Sequence, residues 1–588
     1  MSVEAEYGIW DVIAQPTVLP PALPHTICFS EKAKGLLRYL SWIVMAPPRD
    51  PSARRTPWYQ TLWEHNALPI AVSACILIWL LYPTKAAAYS QASPGSQQPL
   101  SCDPHEPIKS VAIVGAGSAG ASAAYYINKF KHPCERVNIT VYERSSYIGG
   151  RSTTVNVYDD PTEPVELGAS IFVEVNKNLV SAASEFGLVT KGAEENGLPK
   201  TLGVYDGLHW VFTGSESGWW TVGKLLWKYG LAPIRTQMLM KQIVGSFLKM
   251  YEEPYFPFQD LSQTAYDLGL TEATAATGEE YLRKNGIQPP FSTDIIQAST
   301  RVNYAQNIDK IHGLETMVCM STDGAMQIRG GNWQIFAGML KASGARVLLN
   351  TSVTSIKRQS DGIYAVDARS ATSAMNTSSY DTVILAAPLQ YADVLLEPAP
   401  ANPPPEIPFV NLHVTLFTSP MTLNPEAFHL GPTDRVPSAV LTTTSTTHKL
   451  PLPFFSISTL RTVISPKTGQ KEYLYKIFSP DPVENDFLEA ILITPPKEGK
   501  LITWLYEKVW HSYPYLPPRV TFEDIQLDKE GQVWYTGGIE SFISTMETSS
   551  LMGMNVARLI VDKWADATDS GEEEIKDRPS TAKAAEEL

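Results

Sequence analysis

The sequence predicts an α/β fold in which a parallel-sheet domain is interrupted by a larger α+β domain of helices and an antiparallel sheet. Three observations carry this. An apolar run over 111–114 ends in Gly115-Ala116-Gly117-Ser118-Ala119-Gly120, and a helix-like stretch and a second apolar run ending in Glu143 follow. A second glycine turn, Gly149-Gly150-Arg151, comes soon after. Near the other end of the chain, Val533-Trp534-Tyr535 leads through Gly537-Gly538 into a helix expected over 549–564, so the chain leaves the first domain and returns to it.

Strand, glycine turn, helix, strand and acid together form the fingerprint of a Rossmann-like dinucleotide-binding unit. Gly115 allows the tight turn out of the strand, Gly117 lets the backbone approach a pyrophosphate, and Gly120 lets the helix pack closely on the strand. The helix N-terminus then offers unpaired N–H groups and the positive end of its dipole to the phosphates. Glu143 lies 23 residues after Gly120, where a carboxylate accepts hydrogen bonds from a ribose diol and repels a 2′-phosphate. The cation and glycines of 149–151 suit the longer, deeply inserted FAD molecule better than a nicotinamide. No cysteine stands in the C-terminal pass over 533–564, so a flavin is expected to be held without a covalent thioether.

Between these passes the pattern divides as follows. Residues 89–107 are a Ser/Pro/Gln-rich linker, and 108–175 form the first part of the FAD-binding domain. Residues 176–325 are expected to be a mainly helical substrate domain, starting with a helix near 176–187. Over 217–253, apolar residues at spacings near three and four predict amphipathic helices. These helices either bury their stripe on the core, or wall an apolar substrate channel or touch a membrane. Residues 326–395 return to the FAD-binding domain through a helix over 333–342 and strands at 346–349, 353–356 and 381–387. The Pro-rich 398–408 opens a second excursion, 396–530, with strands at 409–418, 437–443 and 471–477, and 531–565 close the FAD-binding domain. The tail 566–588, with eight acids and three bases and almost no large apolar residue, is expected to be disordered.

The chain has 588 residues and a net charge of −14, which argues against nucleic acid as a partner. Residues 67–84 carry no charge, follow Arg49, Arg54 and Arg55, and precede Ala86-Ala87-Ala88. This layout fits a signal peptide over 45–88, a membrane anchor, or a buried helix. In the first two cases the rest of the chain lies in the lumen or outside the cell. Residues 1–44 fit poorly ahead of such a leader and are expected to be a gene-model extension upstream of a start at Met45. Three sequons, at Asn138, Asn350 and Asn376, agree with a lumenal placement, Asn138 least because it starts a strand expected to be buried. Beyond the leader only Cys102, Cys134 and Cys319 remain. They form no disulfide scaffold, a Cys102–Cys134 bridge stays open, and no Cys/His cluster has metal-site spacing.

The segments VAIVGAGSAG and VYERSSYIGGR, VELGAS (165–170), TRVNYAQ (300–306), IRGGNWQIFAGML (328–340) and YTGGIESFISTMETSS (535–550) resemble the prenylcysteine oxidase (prenylcysteine lyase) family, in order, over about 108–565. The resemblance implies a fold of the glutathione-reductase/amine-oxidase type and non-covalent FAD. It also implies a lysosomal or vacuolar enzyme that cleaves S-farnesyl- or S-geranylgeranyl-cysteine, using water and O₂, to cysteine, a prenyl aldehyde and H₂O₂. Gly115, Ala116, Gly117, Ser118, Ala119, Gly120, Glu143, Arg144, Gly150, Arg151, Gly168, Ala169, Ser170, Val353, Gly538 and Ile539 are then expected at the cofactor. No catalytic residue follows from the motifs. Glu540, Glu547 and His312 are candidates for handling water or the amino-acid head group.

Two other readings share these features: another amine-oxidase-like or carotenoid FAD oxidoreductase, and a non-catalytic escort-type protein that binds prenyl groups without flavin. The second lacks a secretory leader. Membrane association through 67–84 is a further expectation.

Overall fold

The computed structural model describes Cys102 and residues 107–192, 201–215, 218–370, 375–444, 452–494, 500–528 and 531–576. The expected leader, the extension 1–44, nearly all of the linker 89–107 and the tail from 577 lie outside the described residues.

The first sheet has five parallel strands: β1 (Ile108–Val114), β2 (Arg136–Tyr142), β3 (Arg346–Leu348), β4 (Thr382–Leu385) and β5 (Val533–Tyr535). Their spatial order is β5-β4-β1-β2-β3, that of a doubly wound dinucleotide-binding sheet. Val111, Ala112 and Ile113 on the central strand are wholly buried, as parallel strands covered on both faces must be. The strand order reverses between β1 and β4, so a crevice opens at the C-terminal end of β1, where the glycine turn sits.

Helix α1 (Ser118–Phe130) follows that turn. The long helix α2 (Met546–Lys576) lies against it with almost no gap: a Cβ on Gly553 would come within 2.2 Å of the Ala119 carbonyl oxygen. The Ser118 and Ser122 hydroxyls donate to the Met546 and Ser550 carbonyls at 2.6 and 2.7 Å. Small residues on both helices thus bring the C-terminal segment, 428 residues away in sequence, onto the first βαβ unit. Because α2 continues to Lys576, the tail expected to be disordered from 566 begins as helix.

A four-stranded sheet is built from Thr351–Arg358, Tyr364–Ser370, Met375–Tyr380 and Leu395–Glu397. A seven-stranded sheet holds Trp504–Pro514 at one edge, then Phe409–Ser419, Lys471–Ser479, Ser456–Ile464, Ala439–Thr442, Thr201–Tyr205 and Trp210–Ser215. Its last two strands come from the stretch expected to be mainly helical. The helices expected over 217–253 are Gly218–Tyr229 and Ala232–Phe247. Leu239, Met240 and Ile243 of the second bury into the main core. Cys102 and Cys134 form a disulfide, and Cys319 is free and buried. Asn138 is exposed although it lies on β2, because the first three residues of that strand project beyond the covered part of the sheet. Among the described residues no helix is long and apolar enough to cross a membrane.

Candidate functional site

A cavity of about 440 Å³ opens at the C-terminal ends of β1 and β4 and is closed on its far side by the edge strand Trp504–Pro514. Its floor is the glycine turn. Gly115, at φ +112°, donates its N–H to the Tyr142 carbonyl at 2.8 Å, and a Cβ there would meet the Ala386 carbonyl oxygen at 2.8 Å. Gly120 carries no side chain because a Cβ would overlap the Gly115 carbonyl oxygen at 2.0 Å. At Gly117 a Cβ would meet nothing within 4 Å. That position is bare toward open space, the room a pyrophosphate needs beside the α1 N-terminus.

The second glycine turn completes the cradle. The Gly149 N–H donates to the Ala116 carbonyl at 2.9 Å, and Gly150, at φ +60°, has its Cβ direction 3.4 Å from the Gly117 Cα. The following Arg151 donates to the Ser512 carbonyl at 2.8 Å and pairs with Glu540 at 2.6 Å. Glu143, at the end of β2, accepts from the Ala116 N–H at 2.9 Å and the Ser145 N–H at 2.8 Å. Each carboxylate oxygen keeps a lone pair for a diol.

The cavity fits a dinucleotide by its unused polar groups as well as its shape. Ser152 Oγ, Trp510 Nε1 and Glu540 Oε2, all on residues that line it, are buried without a hydrogen-bond partner among the described residues. Buried polar atoms are seldom left so, and a bound polar ligand would satisfy them. No cysteine lines this cavity.

Of the residues expected at the cofactor, Gly115, Gly117, Ser118, Ala119, Glu143, Arg144, Gly150, Arg151 and Val353 line the cavity. Ala116 and Gly120 support the turn from behind. Gly168, Ala169 and Ser170 do not reach it. Their polar groups are taken by protein: the Asn332 amide donates to the Ala169 carbonyl at 2.9 Å, and Ser170 Oγ donates to the Gly168 carbonyl at 2.7 Å. Asn332 N–H also donates to the Glu166 carboxylate at 2.6 Å, so VELGAS and the Gly330-Gly331-Asn332 turn lock to each other. Gly538 and Ile539 likewise miss the wall, which is formed there by Thr536, Gly537 and Glu540. Gly538 faces Glu523 instead, with its Cβ direction 3.0 Å from that side chain.

The motifs did not reveal Tyr391 and His511, whose rings stack 4.2 Å apart at 9° on the cavity wall, nor Lys508 and Trp510 beside them. Three of these four residues lie on the edge strand.

Of the three candidates for handling water or the head group, only Glu540 reaches the cavity. His312 is fully buried as the N-cap of helix Gly313–Val318, where its Nδ1 accepts from the Glu315 N–H at 3.1 Å. Burial lowers its pKa to about 4. Glu547 accepts the Asn178 and Leu179 N–H groups at 2.8 and 3.0 Å and thereby caps helix Lys177–Glu185, and burial raises its pKa.

Next to the cavity, and sharing Met546 with it, is a mainly apolar pocket of about 70 Å³. Phe172, Leu179, Val244, Phe247 and Tyr304 form much of its wall. Helix Ala232–Phe247 therefore buries one stripe in the core and lends its C-terminal end to this pocket.

The model of the prenylcysteine lyase family matches residues 212–573, and that of an NAD(P)-binding Rossmann-like domain matches residues 113–186. The chain is 27% identical to farnesylcysteine lyase of Arabidopsis thaliana, over 84% of this chain and 95% of the relative. It is 28% identical to prenylcysteine oxidase 1 of Rattus norvegicus, over 79% and 91%. Among solved structures, a redesigned putrescine oxidase and cyclohexylamine oxidase from Brevibacterium oxydans each match at a TM-score of 0.50 and 15% identity. Each covers 78% of this chain and 100% of the solved one, a likeness of fold.

Proposed function

We propose, from the premise that this chain belongs to the prenylcysteine lyase family, that it is an FAD-dependent oxidase of S-farnesyl- or S-geranylgeranyl-cysteine. The net reaction takes thioether, water and O₂ to cysteine, the prenyl aldehyde and H₂O₂, which balances in atoms and electrons. FAD bound non-covalently in the cavity supplies a two-electron acceptor for the prenyl C1–H, which is both allylic and next to sulfur.

The chain's own residues bind, orient and exclude water. Gly117 and Gly150 leave room for a pyrophosphate, Glu143, fixed by the Ala116 N–H, would accept from a ribose diol, and Arg151, held by Glu540, presents a cation to the cavity. Phe172, Val244 and Phe247 offer an isoprenoid chain a dry wall. The observation that carries the proposal is the junction at Met546, where an apolar pocket adjoins a cavity shaped for a dinucleotide. The protein supplied with FAD is expected to release H₂O₂ from farnesylcysteine. Release from simple amines and none from farnesylcysteine would favour an amine-oxidase-like activity instead.

The compartment we propose is an oxidising lumen, lysosomal or vacuolar. The Cys102–Cys134 disulfide suits such a compartment, and the sequon residues Asn138, Asn350 and Asn376 are all exposed. A mobility shift on treatment with a peptide N-glycosidase is the expected result. An unshifted protein, purified from its own cells and located in the cytosol, would overturn this placement.

A further inference from the structure

The helix pair Gly218–Tyr229 and Ala232–Phe247 carries a surface that packing within the chain leaves uncovered. Trp227 is 93% exposed, Met238 68%, Leu231 61% and Ile234 45%. Leu231, Ile234 and Met238 follow helical spacing and share one side of the second helix, with Trp227 at the end of the first. The opposite side, through Leu239, Met240 and Ile243, is buried. A soluble surface seldom clusters large apolar side chains in this way without a partner.

The charge around this surface says what the partner is. Between residues 218 and 251 the sequence has five Lys or Arg and no Asp or Glu, in a chain of net charge −14. Lys224, Arg235 and Lys241 are exposed, while Lys228 is held by Asp294 at 3.0 Å. Apolar side chains rimmed by cations fit an anionic phospholipid surface. A second copy of the same face would set these cations against each other.

We propose that this helix pair lies flat on anionic phospholipid, with Trp227, Leu231, Ile234 and Met238 entering the boundary between headgroups and acyl chains. The docking is separate from any role of residues 67–84 and does not depend on the enzyme's substrate. One consequence does rest on the proposed activity. Val244 and Phe247, at the end of the same helix, line the apolar pocket, so a prenyl chain leaving the bilayer would meet the pocket wall within the length of one helix.

The test is flotation of the full-length protein with vesicles of phosphatidylcholine alone and of phosphatidylcholine with phosphatidylserine. The wild type is expected to prefer the anionic vesicles and to lose that preference in high salt. Trp227→Glu combined with Met238→Glu is expected to reduce anionic-vesicle binding at least about tenfold, and Lys224→Glu combined with Lys241→Glu on the order of tenfold. All four positions are exposed, and unchanged melting temperatures check the fold. Loss of docking with H₂O₂ release from farnesylcysteine intact leaves the proposed activity standing, and loss of the activity with docking intact leaves the docking standing. Equal binding to both vesicle types, binding by either double variant at the wild-type level, or a lipid-independent dimer dissolved by the Trp227/Met238 variant would each overturn the proposal.

Discussion

The Gly149 amide donates to the Ala116 carbonyl at 2.9 Å, so the second glycine turn is fastened directly onto the first. This bond makes one cradle of two motifs more than thirty residues apart. Gly150 then stands beside Gly117, and Arg151 is delivered to the cavity wall. Two glycines of the cradle, Gly115 and Gly117, differ in what they protect, and substitution separates them.

Gly115→Ala strains the fold itself. Its φ of +112° disfavours any side chain, and the added Cβ meets the Ala386 carbonyl oxygen. A loss of roughly 1–3 kcal/mol is expected. Gly117→Ala places its methyl in open space, so stability should change by less than about 0.5 kcal/mol, while flavin affinity falls at least about tenfold. Melting curves beside flavin retained after dialysis distinguish the two. Equal effects on stability would contradict this reading of the turn.

Arg151 and Glu540 act as a unit. Their side chains are 22% and 10% exposed, and each holds the other at 2.6 Å. Arg151→Ala leaves a largely buried carboxylate uncompensated, at a cost of roughly 2–4 kcal/mol. The double change to alanine should cost less than the sum of the single changes by roughly 1–3 kcal/mol. Additive effects in denaturant titrations would show that the pair is not coupled.

Glu315 and His312 give opposite pH dependences from one short helix. Burial raises the Glu315 carboxyl from 4.5 to about 7, against the nearby Tyr304 hydroxyl, which lowers it. Its burial costs nothing below pH 4.5, and the penalty grows as pH rises from 4.5 to 7. Burial lowers His312 from 6.5 to about 4. The unfolded imidazole takes up a proton as pH falls below 6.5, so stability is lost from there down to 4. Relative to wild type, Glu315→Gln should gain up to roughly 3 kcal/mol as pH rises from 4.5 to 7. His312→Asn, which keeps an acceptor for the helix N-terminus, should gain as pH falls from 6.5 to 4. Urea titrations across this range check both, and curves parallel to wild type would contradict the assignment.

The first βαβ unit was legible because its chemistry is local. Gly115, Gly117, Gly120 and Glu143 stand at spacings that one strand, one turn and one helix impose. The far wall was not legible, since Trp510 and His511 arrive on a sheet edge some 360 residues later, where alternating exposure carries no cofactor signal. The family resemblance places VELGAS at the cofactor, and no local spacing bears on that expectation. The structure puts its carbonyls to work on Asn332 and Lys476 instead, the latter donating to Glu166 O at 2.7 Å. In GGIES the offset is a single residue: Gly537 faces the cavity and Gly538 faces Glu523. A short 3₁₀ turn sets that choice, and spacing does not report it.

The apolar pocket predicts chain-length selection. Val244→Phe narrows it without adding charge. It should lower kcat/KM for geranylgeranylcysteine more than for farnesylcysteine, with a change in their ratio on the order of tenfold. An unchanged ratio would mean that the isoprenoid does not use this pocket.

If the cavity beside Met546 joins a flavin to a prenyl thioether, oxidation of the flavin and cleavage of the thioether are stoichiometric. The most direct measurement is the parallel assay of H₂O₂ and free thiol from farnesylcysteine by the protein supplied with FAD, in air. Both products are expected in equal amounts, and neither from the Gly117→Ala variant stripped of flavin. Absence of both products from wild-type protein that carries bound flavin would contradict this coupling.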